Sequence, residues 1–162
     1  MSAIEEYTRI LNSQPYMALA TSVEGVPNVR VVDYFPDLYQ PNVLYIRTNQ
    51  DKPKVTEFQK NPRVSFATII QGRYEYIRVQ DAQIRRVENH QTAGVKATFL
   101  KKDPKFLEKM GKAGSPYLYA ITFSEASVTV NPVDAALKIL LTKKKNRRQL
   151  NEPRIMATHL KN

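Results

Sequence analysis

From Tyr16 to Val130 the chain is a series of short β-rich runs, most of them joined by links too short to hold a crossover helix. Parallel strands need crossovers of a dozen or more residues, so this spacing argues against a doubly wound parallel sheet. YMALATS (16–22) and VPNVRVVDY (26–34) flank Val23-Glu24-Gly25, a hairpin-sized link with a turn glycine. NVLYIRT (42–48) is the third run, with Val43, Tyr45 and Arg47 on one face and Leu44, Ile46 and Thr48 on the other. RVSFATII (63–70) follows, then YEYIRVQDAQIRRVEN (74–89), YLYAITF (117–123) and ASVTV (126–130). In the 74–89 run the apolar positions are odd at Ile77 and Val79 but even at Ala82 and Ile84. That phase change predicts a β-bulge near Gln80-Asp81.

Helical patterns are few and short. Ile4, Tyr7, Ile10 and Leu11 share one face of residues 2–13, where Ser2 and Glu5 form a capping box. Pro53 to Lys60 reads as a helix with Val55 and Phe58 inward, ended by Asn61-Pro62. Residues 91–111 read as helical with a break at Asp103-Pro104, and a helix is expected over Asp134–Leu141. The fold class expected is therefore mainly β with flanking helices (α+β), a six-stranded antiparallel barrel. Domain limits are set at 1–133 for the barrel and 134–162 for a basic C-terminal helix and tail.

Composition narrows the chemistry. A chain of 162 residues is long enough for one well-buried domain. The absence of cysteine excludes disulfides, thiolate metal sites and thiol catalysis. MSAIEEYTRI has acids where a secretory signal would be basic, and no run is long enough to span a bilayer, so a soluble cytoplasmic protein is expected. Net charge is +10, and 134–162 holds eight of the 25 Lys and Arg but only two of the 15 Asp and Glu. KKKNRR (143–148) could bind phosphate backbones or be a solvated terminus, or the tail could cover a flavin pocket or a partner subunit. It lacks the interleaved aromatics of single-strand binders, so nucleic acid is not the expected partner.

RTNQDKPKVTEFQKNPRV (47–64) places a polar, basic turn between an apolar strand and a short helix. Unpaired N–H groups and the partial positive charge of a helix N-terminus make an anion site, here flanked by Lys52 and Lys54, with Thr48 and Asn49 near. The turn lacks the glycines of a nucleotide-wrapping loop, which favours a terminal phosphate over a triphosphate. The alternative is a solvated surface turn. Arg30 interrupts an otherwise apolar strand and needs a partner, either a local ion pair or the same pocket as Lys54. His90 reads as a surface residue, and two lone histidines, His90 and His159, make no metal cluster.

Three segments together, G-x-P-x-x-R-V-V (25–32), L-Y-I-R-T-N (44–49) and K-P-K-V-T-E-F-Q-K-N-P-R-V-S-F (52–66), resemble the flavin-binding split-barrel family that includes pyridoxamine 5′-phosphate oxidase. The resemblance runs over about residues 3–130. It implies a split β-barrel, FMN as cofactor, and a homodimer with FMN at the subunit interface. By the family's pattern Arg30, Thr48 and Lys54 bind FMN, and Lys52 helps hold the phosphate and polar edge. The backbone of Val31, Val32 and Asp33 meets the isoalloxazine ring, with Arg47 near it. The chain departs from true pyridoxamine-phosphate oxidases. Phe35 stands about where they have a lysine, Arg47 where they have a tyrosine, and no tryptophan is present to hold the pyridoxal substrate. The resemblance therefore implies an FMN-dependent oxidoreductase of another, unknown small-molecule substrate, such as a small flavin reductase or a stress-protein-type flavin binder. Its alternatives are a non-enzymatic flavin carrier, a haem-binding relative using a tail histidine, a deazaflavin protein, and a basic-tailed nucleic-acid binder. No residue is singled out as a catalytic acid or base.

Overall fold

The computed structural model describes residues 1–101 and 103–141. KKKNRR and His159 lie outside the described residues. The chain opens with α1 (Ala3–Ser13), followed by β1 (Tyr16–Val23), β2 (Val26–Asp33), β3 (Phe35–Pro36), β4 (Val43–Thr48), α2 (Pro53–Lys60), β5 (Arg63–Thr68) and β6 (Tyr76–Arg86). Then come α3 (Ala93–Leu100), α4 (Phe106–Lys109), β7 (Tyr117–Phe123), β8 (Glu125–Thr129) and β9 (Leu137–Leu140).

All the pairings are antiparallel, and the strands run in the order β2-β1-β5-β6-β7-β4-β3, with β8 on β6 and β9 on β8. The two ends of that order, β2 and β3, are separated in sequence by Tyr34 alone. A sheet whose edges are tied by one residue must curl on itself, and the outcome is a barrel. Among the described residues nine strands form where six were expected: β3 is only two residues long, and β9 replaces the expected helix over Asp134–Leu141. In β9 Leu137–Leu140 extend β8, and Ile139 and Leu141 enter the barrel core, contacts that a lone helix there would forgo. The N-terminal helix has the expected reciprocal cap, Glu5 N–H on Ser2 Oγ and Ser2 N–H on the Glu5 carboxylate.

The hairpin between β1 and β2 turns on Glu24 (φ 52°) and Gly25 (φ 77°), two left-handed residues as the two-residue turns of twisted hairpins require. The bulge in β6 is where the alternation placed it. Val64 pairs with Ala82 and Phe66 with Val79, so Ser65 alone faces Gln80 and Asp81. The extra residue lets Ile77, Val79, Ala82 and Ile84 all point inward despite the change of phase.

β4 separates two apolar clusters. Leu44 and Ile46 face the barrel interior with Ile10, Leu19, Phe58, Phe66 and Ile121. Val43 and Tyr45 face outward, where Val95, Phe99, Phe106 and Leu118 cover them. The outer cluster exists because α3 and α4 fold back over β4 and β7. α1 closes one barrel end: Tyr7 Oη donates to Pro41 O at 2.5 Å, and the corner residue Tyr34 donates its hydroxyl to Leu11 O at 2.9 Å. Among the described residues no helix is long and apolar enough to cross a membrane.

Candidate functional site

The site lies where the barrel splits. Phe35 pairs with Tyr45, and continuing that register by two residues puts Asp33 opposite Arg47. The side chains of this pair do approach, Arg47 Nη2 to Asp33 Oδ2 at 4.0 Å. Yet no ladder forms there; among the described strands β2 pairs with β1 alone. β2 thus keeps one free edge beside the end of β4. The chain leaving β4 turns through 49–52 and drops α2 across the same opening, pinned to the core by Val55 and Phe58. Phe58 packs edge-on against Tyr119, with ring centroids 5.0 Å apart.

Helix α2 presents its N-terminus to the opening uncapped. Lys52 occupies the N-cap without a side-chain hydrogen bond, and Pro53 has no N–H to offer. The N–H of Lys54, in the first turn, has no acceptor within the helix. The Lys54 ammonium is half-buried, and burial, with the positive charges of Arg30 and Lys52, holds its pKa below the ordinary lysine value. Asp33 and Glu57 act in the opposite direction. Lys54 therefore sits within electrostatic reach of two other cations, Arg30 and Lys52, and of two carboxylates, Asp33 and Glu57.

Arg30 shares the inward parity of β2 with buried Val32. Its guanidinium lies under α2, donating from Nη1 to Thr21 Oγ1 at 2.9 Å and Leu19 O at 3.2 Å, and from Nη2 to Glu57. Glu57 also accepts from Asn28 Nδ2 at 2.9 Å and from Thr21 Oγ1 at 3.2 Å. These contacts, the Asn28 hydrogen bond first, hold the Glu57 carboxyl below its ordinary pKa. Of the two options for Arg30, the structure shows the ion pair, with Glu57, and Arg30 lies close enough to Lys54 for its charge to act on it.

Not every expected residue converges. Val31 points outward and is 63% exposed, whereas Val32 is buried, and of the two only Val31 turns its backbone N–H and C=O to the free edge, those of Val32 facing Met17 of β1. Thr48 is buried at the end of β4, its hydroxyl 3.4 Å from Asn49 O. Arg47 leaves from the opposite face of β4. Its guanidinium lies over the rings of Phe35 (4.8 Å) and Phe106 (5.8 Å), on the side of the outer cluster. Glu57, Asn28 and Thr21 escaped the sequence reading. Glu57 stands one turn after Lys54 and so shares its helix face, which was a visible sign. Its partners on β1 and β2 become neighbours only when the barrel closes. Among the described residues no group of three His, Cys, Asp or Glu could hold a metal ion, and His90 is half-buried just beyond β6.

Residues 10–134 match the pyridoxamine 5′-phosphate oxidase-like family, and the chain belongs to that family. No curated protein matches the sequence. Solved structures share the fold at low identity. A heme binding protein from Mycobacterium smegmatis superposes with a TM-score of 0.67 at 16% identity over 86% of this chain, which spans 58% of that protein's length. General Stress Protein 26 from Bacillus anthracis gives 0.60 at 19% identity, covering 87% of this chain and all (100%) of that one. An FAD-binding protein from Mesorhizobium loti gives 0.56 at 20% identity, covering 79% of this chain and 92% of its own.

Proposed function

We propose that this chain binds FMN at the split between β2 and β4 and serves as a flavin-dependent oxidoreductase, cytoplasmic and homodimeric, acting on a small molecule other than pyridoxamine phosphate. The observation that carries the reading is Lys54: a half-buried cation in the first turn of an uncapped helix, beside Arg30 and Lys52. A phosphate monoester there would gain charge-assisted bonds from Lys54 and Arg30 and the N–H groups of α2, with Lys52 at the rim. Glu57 offsets Arg30 and Asp33 offsets Arg47, so Lys52 and Lys54 remain, two positive charges for one phosphate dianion. Thr48, buried at the end of β4, is assigned to the same site as its floor. The free edge of β2 offers the backbone N–H and C=O groups of Val31 and Asp33 to the polar rim of a planar ring, those of Val32 between them being turned to Met17 of β1, and Arg47 stands by its end. The flavin supplies the redox chemistry when bound; the protein's part is to hold and orient it and to tune its surroundings.

The homodimer has its own support. Across the outer face of the sheet Val31 neighbours Ala18 and then Ala67, and Val29 neighbours Ala20 and then Ser65. Val29 and Val31, each 63% exposed, form a low apolar ridge beside a trough of small residues, a surface that a two-fold axis makes complementary to itself. The visible absorption spectrum of the purified protein, before and after addition of FMN and desalting, tests the cofactor. Retained flavin bands are expected. A colourless protein that keeps no FMN would overturn the reading. A haem band in its place would favour the second reading, which the fold likeness to a heme binding protein supports.

A further inference from the structure

Glu57 is an acid inside a site proposed for an anion, and simple Coulomb reasoning makes it a defect. Its contacts say otherwise. A guanidinium has five N–H donors. Three of those on Arg30 are engaged, by Leu19 O, Thr21 Oγ1 and Glu57. The two left, on Nε and Nη2, are a pair that can address two oxygens of one phosphate. Glu57 is held in turn by Asn28 and Thr21, so the carboxylate is itself a fixed point. Without it Arg30 would keep only neutral acceptors and would have other rotamers open to it. Both side chains are largely covered, at 18% and 20% exposure, so water screens the pair only in part.

We infer that Glu57 is a positioning residue for phosphate recognition: it holds the Arg30 guanidinium so that the remaining N–H pair meets the phosphate beside Lys54. This rests on the flavin reading above and goes beyond it by assigning the acid a favourable role in binding an anion. Riboflavin, which lacks the phosphate, is the control ligand. Affinities for FMN and riboflavin are measured by fluorescence quenching on the wild type, Glu57→Ala, Arg30→Ala and the double variant. Glu57→Gln stands in if the alanine variant does not fold. The amide keeps one acceptor oxygen but loses the charge.

The expected result is that Glu57→Ala weakens FMN by about tenfold or more, the worth of one charged hydrogen bond. Riboflavin binding should stay unchanged, and the substitution should have no further effect once Arg30 is already alanine. A role only in docking α2 would weaken both ligands alike and persist in the Arg30→Ala background. That outcome, or FMN affinity that stays the same or rises in Glu57→Ala, overturns the inference and leaves the flavin reading standing. A wild type that binds FMN no better than riboflavin overturns both, because no phosphate site then exists.

Discussion

Lys54 sits where burial and two neighbouring cations oppose its own charge. An anion relieves that opposition, so Lys54→Ala should weaken FMN binding by roughly 10-fold to 100-fold while the melting temperature stays near that of the wild type. Equal affinities in a titration of both proteins would remove the phosphate site. The sign of the pH dependence follows from the same lysine. Its pKa is lowered in the free protein, and the charged form binds phosphate. FMN affinity should therefore fall as pH rises through the lowered pKa, at a pH below the ordinary lysine value of about 10.5. Titrations across the alkaline range would test this. Carboxylates set the acid limit. Hydrogen bonds from Arg9 first, at 2.9 and 2.7 Å, lower the pKa of Glu75, and those from Asn28 and other neighbours lower that of Glu57. A depressed carboxyl pKa contributes stability above its unfolded value of about 4.3, and that contribution is lost as pH falls through the folded value. The acid-unfolding midpoint should shift upward in Arg9→Met, read by circular dichroism. Gly94 belongs to this scale as well. A Cβ there would lie 2.2 Å from Oδ2 of buried Asp37, which accepts the Tyr45 hydroxyl at 2.5 Å while Oδ1 accepts the N–H groups of Tyr39 and Gln40. Gly94→Ala should cost about 1–3 kcal/mol by overpacking, measured by urea unfolding.

Among the elements, β6 and α2 do most to shape the site. The bulge at Gln80-Asp81 lets one strand serve two partners along the same edge, β8 near its start and β7 near its end. Deleting Gln80 alone would place Ile77, Val79, Ala82 and Ile84 in one unbroken alternation, all still facing inward, with Asp81 opposite Ser65. Cooperative thermal unfolding is therefore expected to survive the deletion, and its loss would show that the local bend of the bulge, beyond the phase change, is needed for β6 to serve both β7 and β8. The periodicity revealed this feature because apolar side chains record which way each residue faces. It did not reveal β9. LKIL at 137–140 is too short for period two and period 3.6 to be told apart, and the free edge of β8 decided the matter. For α2 the helix, its start at Pro53 and its end at Asn61 were readable from proline chemistry and two inward apolar residues. What α2 docks against was not.

At the scale of the whole molecule the barrel closes at the corner residue Tyr34 and opens again at Asp33 and Arg47. The ridge of Val29 and Val31 belongs to this scale, because the dimer proposed for it involves a second copy. Val31→Asp should convert a dimer to a monomer in sedimentation velocity, and a variant that stays dimeric would place the interface elsewhere. The sequence by itself determined the antiparallel class, the strand faces, the bulge and the basic turn before α2, because each depends on residues close together in the chain. It also supplied the family, through three short segments in a fixed order. Only the tertiary structure decided that Arg30 meets Glu57, that Arg47 turns away over Phe35 and Phe106, and that Lys54 comes within reach of Arg30's charge. Those contacts join residues far apart in the chain. They follow from where a curled sheet brings its edges together, and local periodicity carries no record of that closure.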